Sequence, residues 1–177
     1  PMETSEITSQ LCSLSQLEQQ QQTNDYLAEQ IQMQQSICNS QAVQLIGKSV
    51  LVEGAELEKS NGETSDMVVE LEDDCSSAVI TIYDEDGDLV KTIKATDLSE
   101  GKNTIEWDGT DDSGAEVKDG TYTYLISLTD ANSASQTITQ YASYSIVAAT
   151  TGADEAYLVT AGGKEIPYDE VKMAMAA

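Results

Sequence analysis

Trp107-Asp108-Gly109-Thr110-Asp111-Asp112-Ser113-Gly114-Ala115-Glu116-Val117-Lys118-Asp119-Gly120-Thr121-Tyr122-Thr123-Tyr124 is the stretch whose reading decides the fold. Glycine reaches positive φ freely and aspartate bonds its own backbone two residues on, so the middle of this stretch is built for turns. Trp107 is read as the end of one strand. Asp108-Gly109 and Ser113-Gly114 make tight turns, and Asp119-Gly120 opens a second strand that sends Tyr122 and Tyr124 to one face. Paired carboxylates can hydrolyse glycosides, but one of them must then sit in an apolar cleft that raises its pKa. Here they lie in glycine-rich, wet turns, so no catalytic residue is assigned. One Trp and two Tyr on a common face instead anchor a core that has no Phe at all, at about 25 cal/mol per Å² of apolar surface buried. The stretch reads as a strand-turn-strand unit of an all-β, non-catalytic, extracellular building block.

Working outward, the same β language continues on both sides. Ser49 to Val52, Met67 to Leu71 and Ala78 to Tyr83 are short apolar runs. Asp84-Glu85-Asp86-Gly87-Asp88 is a hairpin turn, after which the chain returns through Leu89 to Ile93, and Asn103 to Trp107 makes the next strand. Thr121 to Thr129 and Gln136 to Val147 alternate in period two. Strands of this length between Gly/Asp/Asn turns predict a sandwich or barrel and not a βαβ sheet. After Thr150, Ala156 to Thr160 and Lys164 to Tyr168 flank a Gly162-Gly163 turn, and Asp169 to Met175 is compatible with a short terminal helix.

Before Gly47 the composition is different. Residues 1–46 hold 12 Gln, five acidic residues, no Lys and no Gly. Good helix formers without an internal breaker predict one helix, with Pro1 at its start and Gly47 past its end. Leu14, Leu17, Ala28, Ile31, Cys38, Ala42 and Leu45 fall on one heptad seam that Gln21, Asn24 and Gln35 interrupt. Two readings stand: a marginal, solvated helix, or one that packs on itself, on sister subunits or on a partner filament through residues such as Leu11, Leu14, Leu17, Leu27 and Ile31.

Charge and composition exclude several classes of function. There are 32 acidic residues against 8 basic ones, all Lys, for a formal net charge of −24. Such a surface repels phosphate backbones and anionic lipids, and without Arg there is no bidentate phosphate clamp. Neither nucleic acid nor a membrane surface is a partner. The absence of His removes imidazole triads and most zinc sites. The acidic run from Asp84 fails as an EF-hand, because its glycine arrives at the fourth position. No metal and no cofactor are assigned. Cys12, Cys38 and Cys75 are an odd set without C-x-x-C spacing and are read as small, buried or half-buried thiols. No transmembrane helix or signal sequence is visible. The first residue is Pro, so the chain is expected to be a fragment with its own N-terminus further upstream.

The pattern W-D-G-x-D-x-x-G-x-x-V-x-D-G-x-Y-x-Y formed by Trp107, Asp108, Gly109, Gly114, Asp119, Gly120, Tyr122 and Tyr124 with their neighbours resembles the immunoglobulin-like insert of flagellar hook-capping proteins. Pro1 to Leu11 with Ser15 to Gln19 is similar to that family's N-terminal segment, with Ile7 and Leu14 where Phe is usual. Gln41 to Val50 resembles its A-x-x-L-I-G-K-x-V junction. The resemblance implies a mainly β fold with an N-terminal helical extension over 1–46. A Tudor-like β-barrel would be made from 47–62 and 139–177, and an immunoglobulin-like or fibronectin-type sandwich would be inserted over 63–138. It implies a non-enzymatic scaffold, exported by the flagellar type III apparatus to the distal end of the growing hook. There it would self-associate into a cap and promote ordered assembly of hook protein subunits. The competing reading is an extracellular immunoglobulin-like adhesion or carbohydrate-binding module, which would need exposed aromatics. The extreme acidity is not a feature the family implies.

Overall fold

A computed structural model describes residues 2–129, 136–152 and 155–175. It divides into two compact units, residues 1–41 and 42–177.

The first unit is helical. Helix α1 runs Met2–Val43, as the run of helix formers without Gly or internal Pro predicts. Residues 3–34 are all exposed, so the heptad seam read from the sequence buries nothing along this length. Ile7, Leu11, Leu14 and Leu17 share one side of the first half. Tyr26, Leu27, Ile31, Met33 and Ile37 lie in the second half, and at about 100° per residue their mean direction is roughly opposite to the first group. Cys12 is exposed on this helix, Cys38 is half-buried and Cys75 is buried, so the expectation of sheltered thiols fails at Cys12.

The second unit is a β structure that begins with Ala42 and Leu45, both buried in its core. Strands β1 (Ser49–Glu53) and β2 (Glu56–Ser60) are followed by the two-residue β3 (Glu63–Thr64). Next come β4 (Asp66–Leu71), β5 (Cys75–Tyr83), β6 (Leu89–Leu98) and β7 (Gly101–Ile105). Strands β8 (Gly120–Leu128), β9 (Ile138–Thr151), β10 (Ala156–Thr160), β11 (Glu165–Pro167) and β12 (Val171–Met175) complete the set. The β2–β3 turn is Asn61-Gly62 with φ of 53° and 84°, the twist that a two-residue hairpin demands.

Two sheets result. One has the order β3-β2-β8-β5-β6, and the other runs β11-β10-β9-β1-β12, with β4 joining β9 to β7. The 14-residue β9 is the hub. It pairs with β1 along one edge, and with β4 and then β10 along the other. Register shifts at Leu51/Val52, Ile82/Tyr83 and Val159/Thr160 bend the strands as bulges do, and the sheets are curled. The buried apolar residues of both sheets make one continuous core, from Ala42 to Ile166. Tyr124 sits at its centre and donates its hydroxyl to the Tyr141 carbonyl at 2.8 Å, which satisfies the polar tip of a fully buried ring.

The chain end corrects the sequence reading. Asp169 to Met175 is not a helix: a single 3-10 turn, Tyr168–Glu170, leads into β12, which pairs antiparallel with β1. The buried β1 already bonds β9 on one side, so its other edge offers unpaired backbone that outweighs the weak local helix preference.

Candidate functional site

Trp107 lies two residues beyond the end of β7, not within it as read from the sequence. Its ring is 2% exposed and meets Tyr122 edge-on, with centroids 4.8 Å apart. The indole Nε1 donates to the Thr110 carbonyl at 2.9 Å, and the Trp107 carbonyl accepts from Thr64 Oγ1 at 2.5 Å. Tyr122 sends its hydroxyl to the Lys118 carbonyl at 2.7 Å. Each ring therefore fills the core while its polar atom closes a loop. An aromatic platform for stacking sugars would need Trp107 on the surface, so this geometry does not favour the carbohydrate-binding reading.

The aspartates accept from neighbouring amides, hydroxyls and lysines, not from one another. Asp108 Oδ1 accepts from the Thr110 amide and hydroxyl, and Asp111 Oδ1 accepts from the amides of Ser113 and Ala115 and from the Ser113 hydroxyl. The Thr110 hydroxyl and amide hold the Asp108 carboxyl below its usual range, and the Ser113 hydroxyl with the Ala115 amide does the same for Asp111. Depressed carboxyls are the reverse of what a general acid requires. Gly109 and Gly114 take φ of 70° and 83°, the left-handed region that favours glycine. Gly120 has no such φ and a Cβ there would meet nothing, so nothing in the structure explains it.

Lys59, missed by the sequence reading, and Asp112, read there only as one carboxylate of the turn cluster, complete the arrangement. Lys59 on β2 is 3% exposed, and its ammonium reaches Glu116 at 3.0 Å and Asp119 at 3.2 Å. Glu116, helped by Asp119, raises its pKa although burial pulls the other way. Asp119 also accepts from the Asn61 amide at 3.0 Å; that bond and Lys59 hold its carboxyl low. Asp112 acts on the open edge of β6. Its amide donates to the Val90 carbonyl at 3.1 Å, and its carboxylate accepts from the Thr92 amide at 3.0 Å. It thereby imitates a neighbouring strand over one residue and blunts an edge that would otherwise invite pairing. Lys91 adds a bond to Thr110 at 2.6 Å. No local pattern marks a lysine 57 positions away as the partner of Glu116; the Asn61-Gly62 turn signals a hairpin but joins β2 only to β3.

Trp107, Asp108, Gly109, Gly114, Asp119, Tyr122 and Tyr124 are thus brought together as a brace of the fold. Leu11, Leu14, Leu17, Leu27 and Ile31 lie on α1, 52–63% exposed, and make no part of it. Among the described residues no group of acidic or sulfur side chains is placed to hold a metal ion, and no helix is long and apolar enough to cross a membrane.

A brace of this kind defines a β module whose loops serve architecture. Residues 54–132 match the family model described as the FlgD Ig-like domain. The basal-body rod modification protein FlgD of Salmonella typhimurium LT2 is 30% identical over 172 residues, covering 92% of this chain and 72% of that one. FlgD of Escherichia coli K12 is 31% identical over 157 residues, covering 83% and 66%. The crystal structure of FlgD from Xanthomonas campestris, titled for its insights into the hook capping essential for flagellar assembly, superposes with a TM-score of 0.69 at 25% identity. It covers 77% of this chain and 99% of that one. FlgD from P. aeruginosa has the same fold, with a TM-score of 0.58. The chain belongs to the FlgD family of basal-body rod modification proteins.

Proposed function

We propose that this chain is a non-enzymatic scaffold or cap that promotes ordered assembly of hook protein subunits at the distal end of the growing hook, after export from the cell. The observation that carries the reading is 30% identity to a basal-body rod modification protein across 92% of the chain. Two physical features support it. The braced β unit is a rigid platform, and α1 offers Leu11, Leu14, Leu17, Leu27 and Ile31 to solvent, as a helix awaiting partners does. Within the β unit, the reading divides the chain into a discontinuous Tudor-like barrel (47–62 and 139–177) and an inserted immunoglobulin-like sandwich (63–138). The pairing of β2 with β8 favours moving the first seam back to Gly54.

The test is removal of the exposed part of α1. Because Ala42 and Leu45 belong to the β core, the cut is placed after Gln41; the chain so shortened is expected to stay folded, to lose self-association in light scattering and to stop promoting hook subunit polymerisation. Unchanged mass and unchanged polymerisation would show that the helix has no such role.

A further inference from the structure

The sheet β3-β2-β8-β5-β6 turns one face to the core and the other outward. Along β8 and β5, Tyr122, Tyr124, Ala78, Ile80 and Ile82 point in, so their alternating neighbours point out. Register places Thr123, Tyr83 and Leu89 in one outward row, and Leu125, Thr81 and Thr92 in the next. The following row has Val79 opposite Lys94. Across β8, β5 and β6 no carboxylate stands in these three rows, although 19 of the 32 acidic residues fall between Glu63 and Asp130. Leu89 and Leu125 are each more than half exposed.

Carboxylates instead frame the patch. Glu56 lies across from Thr123 on the same face, already paired with Lys164. The turn Asp84 to Asp88 closes the β5–β6 end, Asp97 follows Thr96 at the other, and Asp112 covers the β6 edge at Thr92. Three strands ~4.8 Å apart and rows ~6.8 Å apart make a centre of roughly 10 by 14 Å. That is the core of an interface and not a whole one, whose footprint is about 800 Å² per partner. The acidic frame must supply the rest, in the core-and-rim arrangement of protein interfaces.

The geometry points to this face as the docking surface for a different protein whose contact patch is apolar and hydroxyl-rich at its centre and basic at its rim. Charge complementarity selects that occupant. A second copy of this chain, at −24, would bring more carboxylates to the frame, and like charges across an interface are strongly disfavoured. The inference rests on the scaffold reading in taking hook subunits as the probe, and it moves their contact from α1 to the β unit.

Binding of purified hook subunits to the full chain tests it, with Leu125→Glu on the face and Val147→Glu, an equally exposed apolar site on β9, as the control. Denaturation midpoints establish that both variants fold. Leu125→Glu is expected to weaken binding tenfold or more, Val147→Glu little, and binding to the unaltered chain to fall as salt rises. Asp86→Lys on the rim should slow association and flatten the salt dependence. Binding unchanged by Leu125→Glu overturns the assignment and leaves the scaffold reading standing. Loss of self-association in that variant, with hook binding intact, assigns the face to a second copy and also overturns it. Failure of the unaltered chain to bind hook subunits overturns both.

Discussion

A Cβ on Gly109 would stand 2.8 Å from Cε of Lys59 and 3.2 Å from Cγ2 of Thr64. The lysine stem from β2 lies directly against the glycine of the W-D-G turn, and its ammonium continues to Glu116 and Asp119 at the far end of the same loop. A buried cation thus joins two turns that the chain separates by seven to ten residues.

Gly109→Ala is therefore expected to cost more than Gly114→Ala. Both have positive φ, worth about 1–2 kcal/mol for an L-residue, but a methyl at Gly114 meets only open space. At Gly109 the buried Lys59 stem or Thr64 must also move. Urea unfolding followed by circular dichroism should give a midpoint drop at Gly109 well beyond that at Gly114.

Lys59 has two roles that substitution separates. Lys59→Met keeps a stem over Gly109 and removes the charge, while Glu116, 70% exposed, returns to water. Lys59→Ala also leaves a void beside Trp107's loop. Thermal denaturation should rank unaltered, Met and Ala in falling order; equal loss in the two variants would place all the value in the charge.

The pH profile has three parts with different signs. Asp108, Asp111 and Asp119 have folded pKa values below their ordinary range. The unfolded chain thus binds their protons first, and their contribution, full above the ordinary carboxylate range, is lost as pH falls through the depressed values. Lys59 is raised, so its contribution is full below 10.5 and is lost as pH climbs through the higher folded value. Asp66 is raised by burial and by Glu106, which makes its ionised form a liability at neutral pH. Asp66→Asn should stabilise at pH 7, and this gain should vanish in acid, as seen in denaturation midpoints across pH.

Gly162 marks a second close approach, between the β10–β11 turn and β2. A Cβ there would fall 1.9 Å from Glu58 Oε1, which accepts from Thr160 at 3.0 Å. Nearby, Lys164 pairs with Glu56 and lies 5.1 Å over the Tyr144 ring. Gly162→Ala is expected to expel Glu58 and lose that bond, at about 1 kcal/mol. Adding Glu58→Ala should recover part of the cost, since the clash then has no partner; strict additivity in the double-mutant cycle would argue against the contact.

Leu11, Leu14 and Leu17 are more than half exposed on α1 and belong to a different unit from the β core, so their joint replacement by Asn should leave the β unit's midpoint within about 0.5 kcal/mol per site. Assembly measured by light scattering should nevertheless fail, because apolar surface left exposed in the single chain is relieved of water only against a partner.

Local chemistry was legible in the residues themselves. The Asx turns at Asp84, Asp108 and Asp111, the alternation that buries Tyr122 and Tyr124, the Gly162-Gly163 hairpin and the long helix before Gly47 each depend on neighbours within a few positions, where chain geometry leaves few choices. Family membership was legible for the same reason, since its pattern is made of such turns. Tertiary structure alone decided what those elements meet. That Lys59 is buried, that Asp112 caps β6, that Glu58 abuts Gly162 and that Val171 to Met175 is a strand beside β1 all follow from contacts 20 to more than 100 positions apart. Such pairings are fixed by the mutual satisfaction of buried backbone and charge across the whole core, and no short window of sequence contains both partners.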